Sequence, residues 1–547
     1  MSELFNASAY LTDRQIERGY GDRTAVTGPL GTLTYRELAR RTAEGAAGWR
    51  GAGLRPEERV LIFAADSPDM LVALLATMRC GAVPVPVSTM STAAELTHLL
   101  RDSRARFLLA GPGFAPVLRQ ALAQPAALPD LSAVVTLDDA PVQPPARLAL
   151  LRWEHLLTAG AHGTEADLAP DRTTEDSPAL WLYTSGTTGT PKAAMHRHGS
   201  IRHVAETYGR QVLGIGPEDR CYSVARLFFA YGLGNSCFLP LSSGAATVLD
   251  PARPTPRTVL RRLAQDAPTL FFGVPTSYAA LLRTEEAPAD AFRGVRVAVS
   301  AGEPLPTQLQ RDFLRHFGVP LLNGLGSTEA LHIFLSDRPG RMRPGTLGTP
   351  VPGYTLRLTS EDGGEPPDGT PGVLRVRAPS AATGYWARPE ATRRVFQGEW
   401  IDTGDLFVRD AEGCYTCLGR ADDMIKSGGI WVSPAEVENR LLEHPSVAAA
   451  VVVSAPDRDG LGRPVACVVP AEGHTIDADG LIAFCRAKLA SFKCPRHVLG
   501  LPDLPVTGTG KTNRGLVREQ ALARLRDHGQ AATAAPENTQ RPRGSTA

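Results

Sequence analysis

With 547 residues, 43% hydrophobic and 21% charged, the chain has material for a large core and is too long for one compact unit. Its net charge of +1 and pI near 7.7 supply neither a basic face for nucleic acid nor attraction to an anionic membrane surface. No apolar run approaches transmembrane length and the start Met1-Ser-Glu is not that of a signal peptide, so a cytoplasmic protein, monomer or homodimer, is expected. Eight scattered cysteines suit reduced thiols. Cys414 and Cys417 have CxxC spacing, but no second pair stands at zinc spacing, and on a strand their sulfurs would face opposite sides.

In chain order, Thr34-Tyr-Arg-Glu37 is a capping box that opens a helix to about Arg50. Arg59–Ala64 reads as a strand, Ser67-Pro68 starts a helix ending near Gly81, and Val83–Val87 is a second apolar run. Thr92-Ala-Ala-Glu95 caps a third helix, and Arg106–Ala110 is a strand. This alternation predicts a parallel sheet with helices on its faces. Residues 111–178, rich in Ala, Pro and Asp, read as looped connections with one strand near Ser132–Leu137.

Ala179-Leu-Trp-Leu182 reads as a buried strand running into Tyr183-Thr-Ser-Gly-Thr-Thr-Gly-Thr-Pro-Lys-Ala-Ala-Met-His196. Glycines let backbone N–H groups approach an anion, the hydroxyls add donors, and Lys192 adds a mobile point charge. Between that strand and a helix predicted over Ile201–Val212, the stretch reads as a phosphate cradle. It is not a Walker loop: the one Gly-Lys-Thr is Gly510-Lys511-Thr512, and Pro505 stands five residues before Gly510. His196, His198 and His203 have no Glu or Cys to complete a ligand set and read as polar residues at a helix start.

Arg226-Leu-Phe-Phe-Ala-Tyr-Gly-Leu-Gly-Asn235 sets aromatic residues beside glycines, a wall for a flat ligand to which Tyr231 offers a hydroxyl. Leu270–Pro275, Val295–Ser300 and the start of Leu321–Phe334 are strands ending in small-residue turns. They put polar groups at strand C-terminal ends, where open α/β sheets bind ligands. Past residue 421 the pattern restarts, with a capping box at Ser433-Pro-Ala-Glu436, strands over Val447–Val453 and Pro464–Val469, and a helix over Gly480–Ala490. The Ala/Thr/Pro/Gln-rich tail from about His528 reads as disordered.

Tyr183 to His196 resembles the phosphate loop of the adenylate-forming ligases, which include acyl-CoA synthetases, peptide-synthetase adenylation domains and luciferases. Ala193 departs from the glycine usual after the lysine. The resemblance runs over roughly residues 10–525 with its motifs in order. It implies an α/β fold: a large N-terminal domain of doubly wound, mostly parallel sheets (1–421), a small mobile α+β C-terminal domain (422–525), and a tail (526–547). It implies ATP, Mg²⁺ and CoA as ligands. Thr184, Ser185, Gly186, Thr187, Thr188 and Gly189 would cradle the β/γ-phosphates together with Lys192. Ser300, Ala301, Gly302 and Glu303 would form the adenine-side loop. Thr328 would contact the α-phosphate and Glu329 would hold the metal. Asp405, in Glu399-Trp-Ile-Asp-Thr-Gly-Asp405, and Arg420 would take the ribose. Asp422 would be the hinge, Gly428 and Gly429 would leave room for a pantetheine arm, and Lys511 would be the catalytic lysine, in a loop where Val506 replaces the usual lysine.

A narrower resemblance, to the benzoate-CoA ligase branch, is carried by Leu227–Asn235, Gly324–Phe334, Pro350–Tyr354, Arg420–Met424 and Val432–Pro434. It implies an aryl ring among Ala230, Tyr231, Gly326, His332 and Ile333, with Ala330 departing from a larger residue. It implies ligation of benzoate, or a 2-amino- or hydroxy-substituted benzoate, to CoA, with Tyr231 or His332 hydrogen-bonding a ring substituent. The rival acceptor is the phosphopantetheine of an acyl carrier protein, which shares its arm with CoA. A luciferase-type oxygenase is a further alternative. So is a non-catalytic nucleotide-binding protein, which would be expected to lack Lys192, Glu329, Asp405 or Lys511.

Overall fold

Strands alternating with helices in the first 150 residues build one all-parallel sheet, with Val83–Pro86, Arg59–Phe63, Phe107–Ala110, Ala133–Thr136 and Ala149–Arg152 side by side in that order. The first strand in sequence lies inside and the second at the edge, the order of a doubly wound sheet. The capping boxes at Thr34 and Thr92 close reciprocally, and Ser67 accepts from the Met70 N–H. The computed structural model describes residues 3–137, 144–185, 191–285, 287–420, 423–427, 430–456, 462–506 and 512–533. Residues 111–178 are more regular than their composition suggests: besides the strand near 133 they hold helices Ala115–Ala121 and Trp153–Ala161 and the strand Ala149–Arg152. Trp153, fully buried with its ring 5.4 Å from that of Trp49, supplies apolar burial that outweighs local propensity.

A second sheet has nine strands. Its inner six, Leu321–Gly326, Val297–Ser300, Leu270–Gly273, Arg220–Ser223, Ala246–Val248 and Thr24–Thr27, are parallel neighbours. Val297–Ser300 and Leu270–Gly273 are buried along their whole length, which is why both read as unbroken apolar runs. Thr355–Thr359, Gly372–Arg377, Trp400–Arg409 and Phe396–Gln397 make an antiparallel sheet.

The phosphate stretch departs from the sequence reading in one respect. Pro178–Ser185 pairs antiparallel with Pro191–Arg197, Thr184 opposite Lys192, so the loop joins two strands and not a strand to a helix. The helix starts at His198 and continues in π-helical turns over Ala205–Val212. The cause is remote in sequence: the other edge of Pro191–Arg197 is paired by Gly384–Trp386, with Met195 N–H donating to Gly384 O at 3.0 Å and Trp386 N–H to Ala193 O at 2.9 Å. His196 and His198 are therefore buried, not surface polar groups.

The chain divides into two units, Met1–Cys417 and Leu418–Ala547, four residues before the 421/422 boundary that the resemblance implies. In the smaller, Val447–Pro456 runs antiparallel to Gly462–Pro470, which pairs parallel with His497–Gly500. Val437, Leu441, Val452, Val468 and Leu481 form its core. Ser433 caps Pro434–Leu442, but the Glu436 carboxylate takes the Lys493 ammonium at 2.7 Å, so only half a capping box forms. The last helix, Arg514–Thr533, passes residue 525, and Ala531 and Ala532 favour its continuation.

Candidate active site

Lys192 is 8% exposed, with Nζ 5.7 Å from the centre of the Tyr385 ring. Burial pushes the pKa of its ammonium down, the Arg394 guanidinium adds to this, and Glu329 opposes it. An anion placed here would relieve the like-charge repulsion. Thr184 and the main chain of Ser185 lie at the hairpin end, opposite Lys192 and Pro191. Gly186, Thr187, Thr188 and Gly189 lie outside the described residues.

Facing this hairpin is the turn between Leu321–Gly326 and Ile333–Ser336. A Cβ on Gly324 would come 2.8 Å from Ile333 Cδ1, and one on Gly326 2.6 Å from the His332 carbonyl oxygen, so both glycines are set by close approach. Leu331 has φ +69°, left-handed backbone that costs about 1–2 kcal/mol for a side-chain-bearing residue. The Thr328 carbonyl fixes the turn, accepting from Leu331 N–H at 3.1 Å and from His196 Nε2 at 2.8 Å. Burial lowers the His196 pKa to about 4, so the ring is neutral with its proton on Nε2. Glu329 Oε1 accepts the Tyr385 hydroxyl proton at 2.6 Å, which turns the carboxylate in one direction and leaves Oε2 for another partner. Among the described residues no three His, Cys, Asp or Glu side chains gather as a metal cage. One carboxylate oxygen completed by phosphate oxygens is a donor set that suits Mg²⁺.

Beyond the turn the aromatic segment folds as helix Ala230–Leu233 and π-helical turns Gly234–Phe238. The rings of Tyr231 and His332 lie 5.8 Å apart, and that of Tyr208 is 5.5 Å from His332. Ala230 and Gly326 are half-buried and Ile333 is buried. One expectation is corrected: the Tyr231 hydroxyl already faces the main-chain carbonyls of Val299 (3.1 Å) and Gly273 (3.3 Å), so its proton is committed at the strand ends and its ring face is what remains for a ligand. His332 Nε2 bonds Asn235 Oδ1 at 3.1 Å, while Nδ1 is buried with no partner among the described residues. Burial lowers the His332 pKa to about 4.

Ser300 ends its strand with a buried hydroxyl that lacks a partner among the described residues, followed by Ala301, Gly302 at φ +90° and Glu303. Asp405 stands at a sharp turn in Trp400–Arg409. Thr403 Oγ1 accepts from Asp405 N–H at 3.1 Å, Asp402 accepts from Gly404 N–H at 3.0 Å, and Gly404 has φ +68°. Arg420 is exposed and belongs to the second unit. Asp422, Gly428, Gly429 and Lys511 lie outside the described residues.

Sequence reading missed the supports. Asp102 accepts from the Tyr183 hydroxyl at 2.8 Å and from Arg388 at 2.7 Å, and its carbonyl takes the Trp386 indole N–H at 2.9 Å. This pins the tyrosine that opens the phosphate stretch. Nothing in the surroundings of Asp102, Arg388, Asn235 or Tyr385 in the sequence marks them. A signal for the lysine was present: only five of the 58 basic residues are lysine (192, 426, 488, 493, 511), and Lys192 stands alone in the first 417 residues.

A hydroxyl-rich hairpin with a buried lysine, a single carboxylate aimed by a tyrosine, and an aromatic wall on the next turn define an enzyme class that activates a small flat acid on a nucleotide phosphate. Comparison with known proteins agrees. Residues 13–386 match the AMP-binding enzyme family and 436–511 the AMP-binding enzyme C-terminal domain, and the chain belongs to this family. It is 40% identical over 527 residues to a 4-hydroxybenzoate–CoA/benzoate–CoA ligase of Rhodopseudomonas palustris, covering 95% of this chain and 94% of that one. The fold matches a benzoate CoA ligase from Burkholderia xenovorans LB400 with TM-score 0.85 at 39% identity, over 94% of this chain and 100% of the other. It matches the anthranilate CoA ligase AuaEII, solved with anthranoyl-AMP, with TM-score 0.89 at 32% identity, over 96% and 99%.

Proposed function

We propose that this protein is an AMP-forming aryl-CoA ligase that joins a benzoate-type acid to CoA through an aryl-adenylate. The observation that carries the reading is the aromatic wall of Tyr231 and His332, the histidine on the turn that bears Thr328 and Glu329, where a flat ring would lie beside groups suited to an α-phosphate. The names of its relatives, ligases of benzoate, hydroxybenzoate and anthranilate, support it.

A carboxylate acylates a thiol poorly because oxide is a poor leaving group. Attack of the acid on the α-phosphorus of ATP expels pyrophosphate and turns AMP into the leaving group. Charge in such a transfer spreads over oxygens, so positioned cations and donors dominate. Lys192 and the hydroxyls of residues 184–188 hold the β/γ-phosphates, and Thr328 donates to the α-phosphate. Glu329 would hold Mg²⁺, which would supply positive charge to the phosphate oxygens. Ser300–Glu303 flank the adenine, and Asp405 with Arg420 takes the ribose hydroxyls. Lys511 joins the acid and the α-phosphate during adenylation. The small domain then turns about Asp422, and Gly428 and Gly429 admit the pantetheine arm. His332 Nδ1, an acceptor when Nε2 carries the proton, supports a ring with an amino or hydroxyl donor.

The test is an acid panel with ATP and Mg²⁺, following pyrophosphate with and without CoA: benzoate, 2-aminobenzoate, 2-, 3- and 4-hydroxybenzoate, cinnamate and a medium-chain fatty acid. Aryl-CoA and AMP formed best from one benzoate support the proposal and name the substrate. Adenylate without thioester points to a carrier protein as acceptor. Activation of the fatty acid alone refutes the aryl assignment.

A further inference from the structure

Lys192 and Glu329 carry opposite charges at one locus, yet among the described residues they form no ion pair. Tyr385 stands between them. Its hydroxyl donates to Glu329 Oε1 at 2.6 Å, and its ring centre is 5.7 Å from Lys192 Nζ. The tyrosine is itself held: 6% exposed, it bridges to Ala194 on the lysine's own strand, and its N–H donates to Thr392 Oγ1 at 3.0 Å. The next residue but two, Arg388, is anchored on Asp102. One side chain thus touches the hairpin that carries the lysine and the turn that carries the carboxylate.

We propose that Tyr385 is a positioning residue that keeps Lys192 and Glu329 from neutralising each other, so that the free enzyme presents an ammonium for phosphate and a carboxylate oxygen for the cation that accompanies it. The physical argument is a competition. A lysine and a carboxylate side by side in a half-dry site attract strongly, and their union would have to be broken before Mg·ATP could bind. A short hydrogen bond to a charged acceptor offers the carboxylate an alternative partner. The aromatic face offers the ammonium a contact that a phosphate can displace. The two charges themselves are therefore what the test reads.

The role rests on the proposed use of ATP, but its first readout needs no nucleotide. Lys192 is the single lysine of residues 1–417, so acetylation of the full-length protein by an amine-reactive ester, followed by peptide mass spectrometry, reports on it alone, with Lys488 and Lys493 as internal references. In Tyr385→Phe the carboxylate is released and swings onto the ammonium. Labelling of Lys192 slows several-fold, and Mg·ATP binding measured by calorimetry weakens about tenfold, the scale of one hydrogen bond to a charge. In the double variant Tyr385→Phe/Glu329→Gln, labelling returns to the wild-type rate within about twofold, because no carboxylate remains to pair. Labelling unchanged in Tyr385→Phe, or slowed equally with and without Glu329, overturns the proposal. Should Tyr385→Phe fail to fold, Glu329→Gln alone decides: labelling within about twofold of wild type supports the spacer, since the two charges are already apart, and a several-fold acceleration shows that they pair and overturns it. Failure of wild-type protein to bind Mg·ATP at all would count against the ATP reading and leave the labelling result standing.

Discussion

Gly234→Ala tests how the aryl wall is built. In an exposed helix this change stabilises by about 1 kcal/mol, and here the sign should reverse. The new Cβ would lie 2.2 Å from Cδ2 and 2.5 Å from Nε2 of His332. The imidazole has nowhere to go: it is 2% exposed, flanked by the rings of Tyr208 and Tyr231, and tied to Asn235 by the bond at 3.1 Å. Overpacking of this kind costs about 1–3 kcal/mol, and the strained bond to Asn235 adds about 1 kcal/mol. Set against the helical gain, the net loss is about 1–3 kcal/mol. Urea unfolding measures it. Steady-state kinetics should show the KM for the aryl acid rising while that for ATP holds, because the clash is on the acid side. The double variant Gly234→Ala/His332→Ala should be no less stable than His332→Ala alone, since the obstruction is gone. Wild-type stability and acid KM in Gly234→Ala, or an equal cost in both backgrounds, would refute this account of the wall.

Lys192→Arg keeps the charge but replaces a slim ammonium with a planar fork in a nearly closed slot against Tyr385. Pyrophosphate exchange should fall ~10²–10³, the scale of losing one positioned donor, and wild-type exchange would show that charge alone suffices. Asp102→Asn removes the carboxylate shared by Tyr183 and Arg388 and should cost about 1–3 kcal/mol in denaturant unfolding, while an unchanged midpoint would mean that the phosphate hairpin is anchored elsewhere. Acid should weaken the fold in a defined window. Burial holds His196, His198 and His332 at about 4, below their ordinary 6.5, so their contribution is complete above 6.5 and is lost as pH falls through 4. Asp66 and Asp337, pushed up by burial from 3.8 to about 6, act in the opposite sense, their contribution fading as pH rises through 6. Three groups against two leave a shallow decline between pH 6.5 and 4, which unfolding midpoints across that range check. Stability that rises on acidification would contradict the neutral histidines.

What could be read from the sequence was what neighbouring residues decide together. The boxes at Thr34 and Thr92 announce themselves because cap and carboxylate are three residues apart, and the buried strands because the apolar run is continuous. The glycines of Gly324-Leu-Gly326 could be placed at a turn, but not their reason, since Ile333 and His332 press on them only after the chain has doubled back. The strand Pro191–Arg197 that follows the phosphate loop went unread because its partner edge, Gly384–Trp386, lies some two hundred residues away. Sequence separation likewise hid Tyr385 and Asp102, whose side-chain hydrogen-bond partners lie 56 to 286 residues away. His196 and His332 looked like surface or ligand residues because imidazole gives no hint of burial until its carbonyl or amide partner arrives from another segment.

The basic residues supply the last step. In the large unit the ion pairs are made by arginine: Arg388 on Asp102, Arg79 on Asp13, Arg296 on Asp219. Arginine suits such work, since its fork pre-organises two donors and its charge survives burial. A lysine at one position out of 417 stands apart from a unit whose other basic residues are all arginine. Lys192 lies in the slot where burial and Arg394 both press against its charge, a poor place for a structural ammonium and a good one for an ammonium completed by a phosphate that arrives and leaves. Residue choice across the whole unit and the local electrostatics of one side chain thus independently support the phosphate role proposed for Lys192.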